Sequence, residues 1–145
     1  MTVELMRDLR HAYLATRYLF ADGDREVAVR IGQASPELDA LLARHGAAGA
    51  AFITAWNPGS RASDPAENLA AAERLQATVD ALGLVALAHR GVPDETEWVP
   101  EEGLLVLDIG ATAAVAIAEA FGQNAIVHIA PGGAAELVLT RLMPR

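Results

Sequence analysis

The spacing of apolar positions along the chain separates helical segments from strands. Apolar residues that recur three and four positions apart predict four helices. These helices run from the residue after Thr2 to the turn Ala21–Asp24, from Pro36 to Gly46, from Pro65 to Gly83, and from about Thr112 to Phe121. The first helix is expected to be amphipathic and to contain the aromatic segment Tyr13–Tyr18 in its last part.

Two of these helices begin with clear start signals. Ser35 can cap the second helix, Pro36 suits its first helical position, and Glu37 complements the helix dipole. Asp64 and Glu67 have the spacing of a capping box around Pro65 at the start of the third helix. Both helices are therefore predicted to begin at a proline.

Other apolar runs have the spacing or length of strands. Ala50–Trp56 is almost continuously apolar, which is typical of a central strand that is covered on both faces. Alternation or short apolar runs predict five further strands, Val27–Ile31, Leu84–Ala88, Leu104–Ile109, Ala125–Ile129 and Leu137–Leu139. The turn sequence Pro131-Gly132-Gly133 is expected to join the last two strands as a hairpin.

The order of these elements predicts the fold class. Strands that alternate with helices favour right-handed crossovers and a parallel portion of sheet, whereas the final hairpin adds antiparallel pairing. We expect an α/β fold, with α+β as the alternative, formed by one domain over residues 1–145. Its single mixed sheet should have about five or six strands, with about four helices and a C-terminal β-hairpin.

Composition excludes several classes of chemistry. The chain has 145 residues and no cysteine, which removes disulfides, thiol nucleophiles and iron–sulfur clusters. All 11 basic residues are arginine. Schiff-base enzymes, P-loop nucleotide hydrolases and serine–lysine hydrolases need a lysine, so none of these classes applies.

Charge and hydropathy bear on location and partners. A formal net charge of −8 makes nucleic acid an unlikely partner, because the averaged field repels phosphate. We find no signal peptide and no apolar run of the roughly 18 residues that would span a bilayer. The sequence therefore predicts a soluble, cytoplasmic protein without a membrane segment, and it leaves the oligomeric state open.

The segment that follows Ala50–Trp56 is the main candidate for function. Asn57-Pro58-Gly59-Ser60-Arg61 leads from a buried strand towards a capped helix, and it carries backbone amides, a hydroxyl and a guanidinium. Helix N-termini and arginine favour anions such as carboxylate or phosphate. The structural alternative is that Asn57-Pro58 forms a turn while Arg61 points into water.

Amide side chains elsewhere extend this candidate site. Asn68 lies in the first turn of the third helix, where it can face Asn57, and a structural tether is one interpretation of that pair. Gln123 and Asn124 follow the glycine that ends the fourth helix. Glycine with a nearby Asn is common at helix ends, whereas two consecutive amides also suit ligand binding.

An acidic segment, Gly91–Glu102, is predicted to be a loop. Its carboxylates could bind a divalent cation, but their spacing fits no known metal loop, and a solvated loop is the simpler interpretation. The histidines His11, His45, His89 and His128 show no ligand spacing. Neither a cofactor nor a metal is predicted.

Three segments in the same order resemble the bacterial domain-of-unknown-function family 3293. They are Tyr13–Tyr18, Phe52–Pro58 together with Asn68, and Phe121–Ile126. The most specific is the string Thr-Ala-Trp-Asn-Pro within the second segment. The resemblance implies a small bacterial protein with no established activity, substrate or cofactor. One departure is Glu101-Glu102-Gly103, where the resemblance implies an acidic pair followed by proline or serine.

The resemblance also implies that several recognisable residues gather at one site near strand ends. With the loop residues, the predicted ligand-binding set is Tyr18, Thr54, Asn57, Ser60, Arg61, Asn68, Gln123 and Asn124. The leading hypothesis is a domain that binds a small polar or anionic metabolite in a pocket formed by the Asn57–Arg61 loop, the Gln123–Asn124 corner and the Tyr13–Tyr18 helix end.

Two other functions remain open. One is a protein-interaction module that docks a basic partner through Trp98 and its acidic surroundings. The other is a glycosylase-like enzyme, since Asn57-Pro58-Gly59 after a strand resembles the water-positioning loop of the uracil-DNA glycosylase superfamily. No residue has a predicted catalytic role.

Overall fold

The computed structural model describes residues 3–95 and 99–144. These residues form four α-helices, α1 (Val3–Leu14), α2 (Pro36–Arg44), α3 (Pro65–Ala81) and α4 (Ala111–Ala120), and a short 3-10 helix at Pro58–Ser60. The strands are β1 (Thr16–Asp22), β2 (Arg25–Val29), β3 (Ala50–Thr54), β4 (Ala86–Pro93), β5 (Glu101–Leu107), β6 (Ala125–Ile129) and β7 (Glu136–Leu139). The class is mixed α/β, as predicted.

All seven strands lie in one sheet, in the order β2-β1-β4-β5-β3-β6-β7. Each ladder between neighbouring strands is antiparallel, so the prediction of a parallel portion and of five or six strands is wrong. The helices α3 and α4 do link strands of the same direction, as crossovers must. A third strand is inserted between each linked pair, however, and it runs the opposite way. The predicted C-terminal hairpin is confirmed as β6–β7.

The first predicted helix is too long. α1 ends at Leu14, and the aromatic segment after it belongs to β1. Aromatic residues favour strands, and the alternation of Tyr18 and Phe20 turns both rings to one face of the sheet. The turn near Gly23, which was predicted to end a helix, instead closes the β1–β2 hairpin with Asp22 opposite Arg25.

Both ends of the predicted acidic loop are strand. β4 continues to Pro93 and β5 begins at Glu101, so both strands extend into the segment that was predicted to be a loop. Trp98, the residue of the alternative docking hypothesis, lies outside the described residues. That hypothesis stays a prediction.

The predicted helix starts are confirmed by their capping bonds. Ser35 Oγ accepts a hydrogen bond of 3.2 Å from the Leu38 amide at the start of α2. Asp64 Oδ1 accepts one of 3.1 Å from the Ala66 amide at the start of α3. Each cap satisfies a backbone donor that would otherwise have no partner in the first helical turn.

Helices cover both faces of the sheet. One face packs against α2, and its buried side chains include Leu38, Leu42 and Phe52. The other face packs against α3 and α4, through residues such as Leu75 and Ala114. We call these the α2 face and the α3/α4 face. Since β3 and β5 are covered on both sides, the side chains at the centre of the sheet are buried from solvent.

The segment that follows β2 and the segment that precedes β7 lie at the two edges of the sheet, and they approach each other. Ile31 and Ala135 form a bridge, and the Gly32 amide donates to the Ala135 carbonyl at 2.7 Å. The sheet therefore curls around α2. Within the described residues, no helix has the length and apolar character needed to cross a membrane.

Candidate functional site

The polar residues of the candidate site lie at one end of the α2 face. Strand register sets two neighbouring rows across β1, β4, β5 and β3. The first row holds Tyr18, Gly91 and Glu101, and the second holds His89, Gly103 and Thr54. We call these six residues, with Asn57 beyond the end of β3, the polar end. Alternation along β5 puts Glu101 on the same face as the buried Leu105.

Glycine at position 103 makes room for a ring from the neighbouring strand. A Cβ added to Gly103 would lie 2.5 Å from His89 Cε1 and would collide with the Ile53 carbonyl. A Cβ added to Gly91 would lie 3.7 Å from Tyr18 Cε1, which is ordinary van der Waals contact. The imidazole of His89 therefore occupies space that a side chain at position 103 would need.

Asn57 is the centre of the hydrogen-bond network. Its φ of 50° is left-handed, a conformation that Asn tolerates better than most residues. The Asn57 amide donates to Asn68 Oδ1 at 3.0 Å, and Asn57 Oδ1 accepts from Ser63 N and Asn68 Nδ2, each at 3.0 Å. Asn68 is buried and tied to Asn57 at both ends of its amide, which makes the pair a tether between the loop and α3.

The remaining amide group of Asn57 holds Glu101. Asn57 Nδ2 donates to Glu101 Oε2 at 2.7 Å. Burial raises the pKa of the half-buried Glu101 carboxyl, while the hydrogen bond from Asn57 opposes the rise. No described residue donates a hydrogen bond to Glu101 Oε1 or forms an ion pair with this carboxyl. Glu101 therefore has one free acceptor oxygen and no cationic neighbour.

Two tyrosines lie near this carboxyl. Burial raises the pKa of the Tyr13 phenol, a hydrogen bond with Ser60 lowers it, and the charge of Glu101 raises it further. Burial also raises the pKa of the Tyr18 phenol, with smaller contributions from Tyr13 and Glu101, against a hydrogen bond with Thr16. Both phenols are therefore neutral at physiological pH, and among the described residues neither is hydrogen-bonded to Glu101.

The corner after α4 is bound to the loop after β3. Asn124 Nδ2 donates to Ser60 Oγ at 3.0 Å, and Gln123 Nε2 donates to the Trp56 carbonyl at 3.0 Å. The Gly59 amide donates to the Gly122 carbonyl at 2.8 Å. Gln123 and Asn124 are both buried, so these bonds fix the position of the loop relative to β6.

Thr54 and Arg61 lie at the two ends of the loop. Thr54 Oγ1 donates to the Glu102 carbonyl at 2.7 Å and accepts from the Trp56 amide at 3.1 Å, which ends β3 against β5. Arg61 is exposed, and its side chain has no hydrogen bond or ion pair with the described part of the chain. The other predicted site residues are brought together, whereas Arg61 remains at the periphery.

Sequence reasoning did not place His89, Gly91, Glu101 or Gly103 at this site. Glu101 was assigned to a solvated loop, because the following strand was predicted to begin at Leu104. The alternation of Glu101, Gly103 and Leu105 was the signal that could have placed it on the buried face. Tyr13 was included in the predicted pocket as part of the segment Tyr13–Tyr18.

Two buried nitrogen atoms near this site have no hydrogen-bond partner among the described residues, His89 Nδ1 and Trp56 Nε1. His89 is 5% exposed and packs edge-on against Phe52, with ring centroids 5.0 Å apart. Burial lowers its pKa to about 4, so the imidazole is neutral at physiological pH. His89 therefore acts as a neutral aromatic group in the wall of the polar end.

Two grooves lie beside α3. One, of about 510 Å³, runs between α3 and the α3/α4 face of β1, β4 and β5. The other, of about 660 Å³, lies between α3 and α4 and is lined by residues such as Ala71 and Phe121. Both linings are mostly apolar, although the first also includes charged side chains such as Glu26, Arg90 and Glu102. Within the described residues, no three His, Asp or Glu side chains are grouped as metal ligands.

Comparison with known proteins identifies a family but no function. The family model DUF3293, described as a protein of unknown function, matches residues 53–126. The match covers half of the chain and includes Thr54, Asn57, Asn68, Gln123 and Asn124, and the chain belongs to this family. The predicted family is thus confirmed. No curated protein and no solved structure matches the chain.

Proposed function

We propose that this member of DUF3293 is a small-ligand-binding domain. Its pocket consists of the polar end, the Asn57–Arg61 loop, the Gln123–Asn124 corner and Tyr13 at the end of α1. The observation that carries this proposal is the half-buried carboxyl of Glu101, which among the described residues has one oxygen without a donor and no ion-pair partner. Such a carboxyl destabilises the folded protein, so a ligand is the simplest reason for its presence.

The surroundings of Glu101 support this proposal. Asn57 and Asn68 position the carboxyl through a network whose members are themselves bound to the loop and to α3. A network that orients a polar group while leaving one of its atoms free is typical of a preorganised binding site. The half-buried state of Glu101, Tyr13 and Thr54 gives a ligand access from solvent.

The ligand is proposed to be small and polar. Arg61 and the amides of the 3-10 turn are the groups that would take an anionic part of it, at the periphery of the site. A cytoplasmic location remains part of the proposal, in keeping with the absence of cysteine.

A screen of small polar metabolites by protein-detected NMR tests the proposal. Ligands should shift the amide signals of Asn57, Ser60 and Glu101. Tyr13→Phe and Arg61→Ala should each weaken the strongest ligand by about threefold or more, because one removes a hydroxyl beside the site and the other a cation at its edge. Glu102→Gln is the control, since Glu102 is exposed on the opposite face of the same strand.

Shifts confined to the grooves beside α3 would contradict the proposed location. So would ligands that bind Asn57→Ala and Arg61→Ala as tightly as the parent protein.

A further inference from the structure

We propose that the ligand carries a nitrogen cation, a primary or substituted ammonium, which binds Glu101 Oε1 and contacts the rings of Tyr13 and Tyr18. This inference rests on the proposed function and names the class of ligand for the same site.

The distribution of charge favours a cation. The ion pairs among the described residues lie away from Glu101 and join Arg17 and Arg30 to Asp94, Arg44 to Asp22, Arg90 to Glu26, and Arg141 to Glu119. Among the described residues, the hydrogen-bond partner of the Glu101 carboxyl is the neutral amide of Asn57. A half-buried carboxylate without a counter-charge gains more from a bound cation than a solvated carboxylate does, because water screens it less.

Among the described residues, only one of the two oxygens of the Glu101 carboxyl accepts a hydrogen bond. Asn57 Nδ2 occupies Oε2 at 2.7 Å, whereas the described residues give Oε1 no donor. An ionised carboxylate accepts several hydrogen bonds, and an ammonium supplies up to three donors. A charge-assisted N–H···O bond to Oε1 would complete the coordination of this group.

Aromatic rings beside the carboxyl support the same choice. Tyr18 lies in the same row as Glu101, with only Gly91 between their strand positions, and the charge of Glu101 contributes to the raised pKa of both the Tyr13 and the Tyr18 phenols. Among the described residues, neither phenol is hydrogen-bonded to Glu101. Neutral aromatic faces attract ammonium groups that lie within about 6 Å of the ring centre. An anion at this position would be repelled by the carboxylate and would not be attracted by the faces of the rings.

The test compares three probes of nearly the same shape: benzylammonium, benzyl alcohol and benzoate. Each is titrated at pH 7.5 into the labelled protein while the amide signals of Asn57 and Glu101 are followed by NMR. Benzylammonium should bind at least about tenfold more tightly than the alcohol, and benzoate should bind more weakly than both.

Matched variants assign the effect to one carboxyl. Glu101→Gln keeps the length of the side chain and an acceptor for Asn57 but removes the charge, so it should abolish the preference for benzylammonium. Glu102→Gln makes the same change on the opposite face of β5 and should leave the preference intact. An unchanged preference in Glu101→Gln, or an equal loss in both variants, would overturn the inference.

The outcomes also separate this inference from the proposed function. If benzoate or benzyl alcohol binds best and shifts the Asn57 signal, the site exists but its ligand is not a cation. If none of the three probes shifts the Asn57 or Glu101 signals, and the metabolite screen also fails there, both proposals are wrong.

Discussion

The two ends of the α2 face differ sharply although the same strands form both. Towards α2, β3 and β5 present Phe52 and Leu105, which are 3% and 0% exposed. Beyond them on the same strands, the side chains on this face are Thr54 and Glu101, and β1 adds Tyr18. One end is an apolar core that is buried from solvent, while the other has amides, hydroxyls and a carboxyl in contact with solvent.

This difference separates stability from function within one sheet. Burial of apolar area stabilises the α2 end, where each side chain contributes by being removed from water. At the polar end, hydrogen bonds mainly compensate for the desolvation of the groups that make them. The α2 end therefore maintains the curl of the sheet, and the polar end can keep a group such as Glu101 that costs stability.

Truncation in the apolar core should give the largest effect. Leu38→Ala removes a fully buried side chain of α2 and should lower the free energy of unfolding by about 2–5 kcal/mol. Urea denaturation followed by circular dichroism measures this change. A loss below about 1 kcal/mol would show that the α2 end is not the tightly packed core described here.

Acid should destabilise the protein through His89 at the boundary of the two ends. Burial lowers the pKa of His89 from 6.5 to about 4, so the folded state disfavours the protonated imidazole. The contribution of the neutral imidazole to the free energy of unfolding is complete above pH 6.5, and it is lost as pH falls towards 4. The loss is on the order of 3 kcal/mol across that window.

His89→Leu, which cannot titrate, should remove this part of the pH dependence. The measurement is the free energy of unfolding at several pH values between 4 and 7, in the parent protein and in the variant. Parallel curves for the two proteins would contradict the burial of a neutral imidazole.

Loss of the central amide should have an intermediate effect. Asn57→Ala removes three side-chain hydrogen bonds and leaves Asn68 Nδ2, the Ser63 amide and Glu101 Oε2 without these partners, while Asn68 Oδ1 still accepts from the backbone amide of residue 57. It also replaces an Asn in a left-handed conformation. We expect a loss of about 2–3 kcal/mol by thermal or chemical unfolding.

Arg61→Ala is the matched control in the same loop. Because its side chain is exposed and makes no contact with the described residues, the change should stay within about 0.5 kcal/mol. Equal losses in the two variants would contradict the central role of Asn57.

The smallest effect should be an increase in stability. The pKa of Glu101 is raised in the folded protein, so folding favours the protonated carboxyl. The stability that the protonated carboxyl contributes is complete below the unfolded pKa of 4.5 and is lost as pH rises through the higher folded pKa. Glu101→Gln should therefore stabilise the protein at pH 7, by about 0.5 kcal/mol, since the carboxyl keeps some contact with water. The gain should disappear near pH 4, and Glu102→Gln should show none.

Local signals account for the parts of the fold that were predicted well. The caps at Ser35 and Asp64 act within one helical turn, so each helix start can be recognised from a few residues. The apolar run of β3 and the turn of the β6–β7 hairpin are local in the same sense. The placement of Asn68 opposite Asn57 was also accessible, because the intervening loop and the first turn of α3 leave few alternatives.

The remaining features depend on contacts between distant segments. Tyr18 was predicted to lie in a helix, because Tyr13–Tyr18 continues an amphipathic pattern, and only pairing with Val29 and Gly91 makes it a strand residue. Glu101 became part of the site because β5 begins three residues before Leu104, the start of the obvious apolar run, and pairs there with β4. Pairing of this kind is decided by partners that a local pattern does not reveal.

The sequence alone therefore determined the mixed class, the four helices, the family, and the loop after β3 as the place to look for function. Those features arise from propensity, capping and turn chemistry, which act over a few neighbouring residues. The tertiary structure alone decided the antiparallel order of the seven strands and the meeting of Glu101 with Asn57. Both are outcomes of long-range packing, in which each strand takes the neighbour that buries its apolar face.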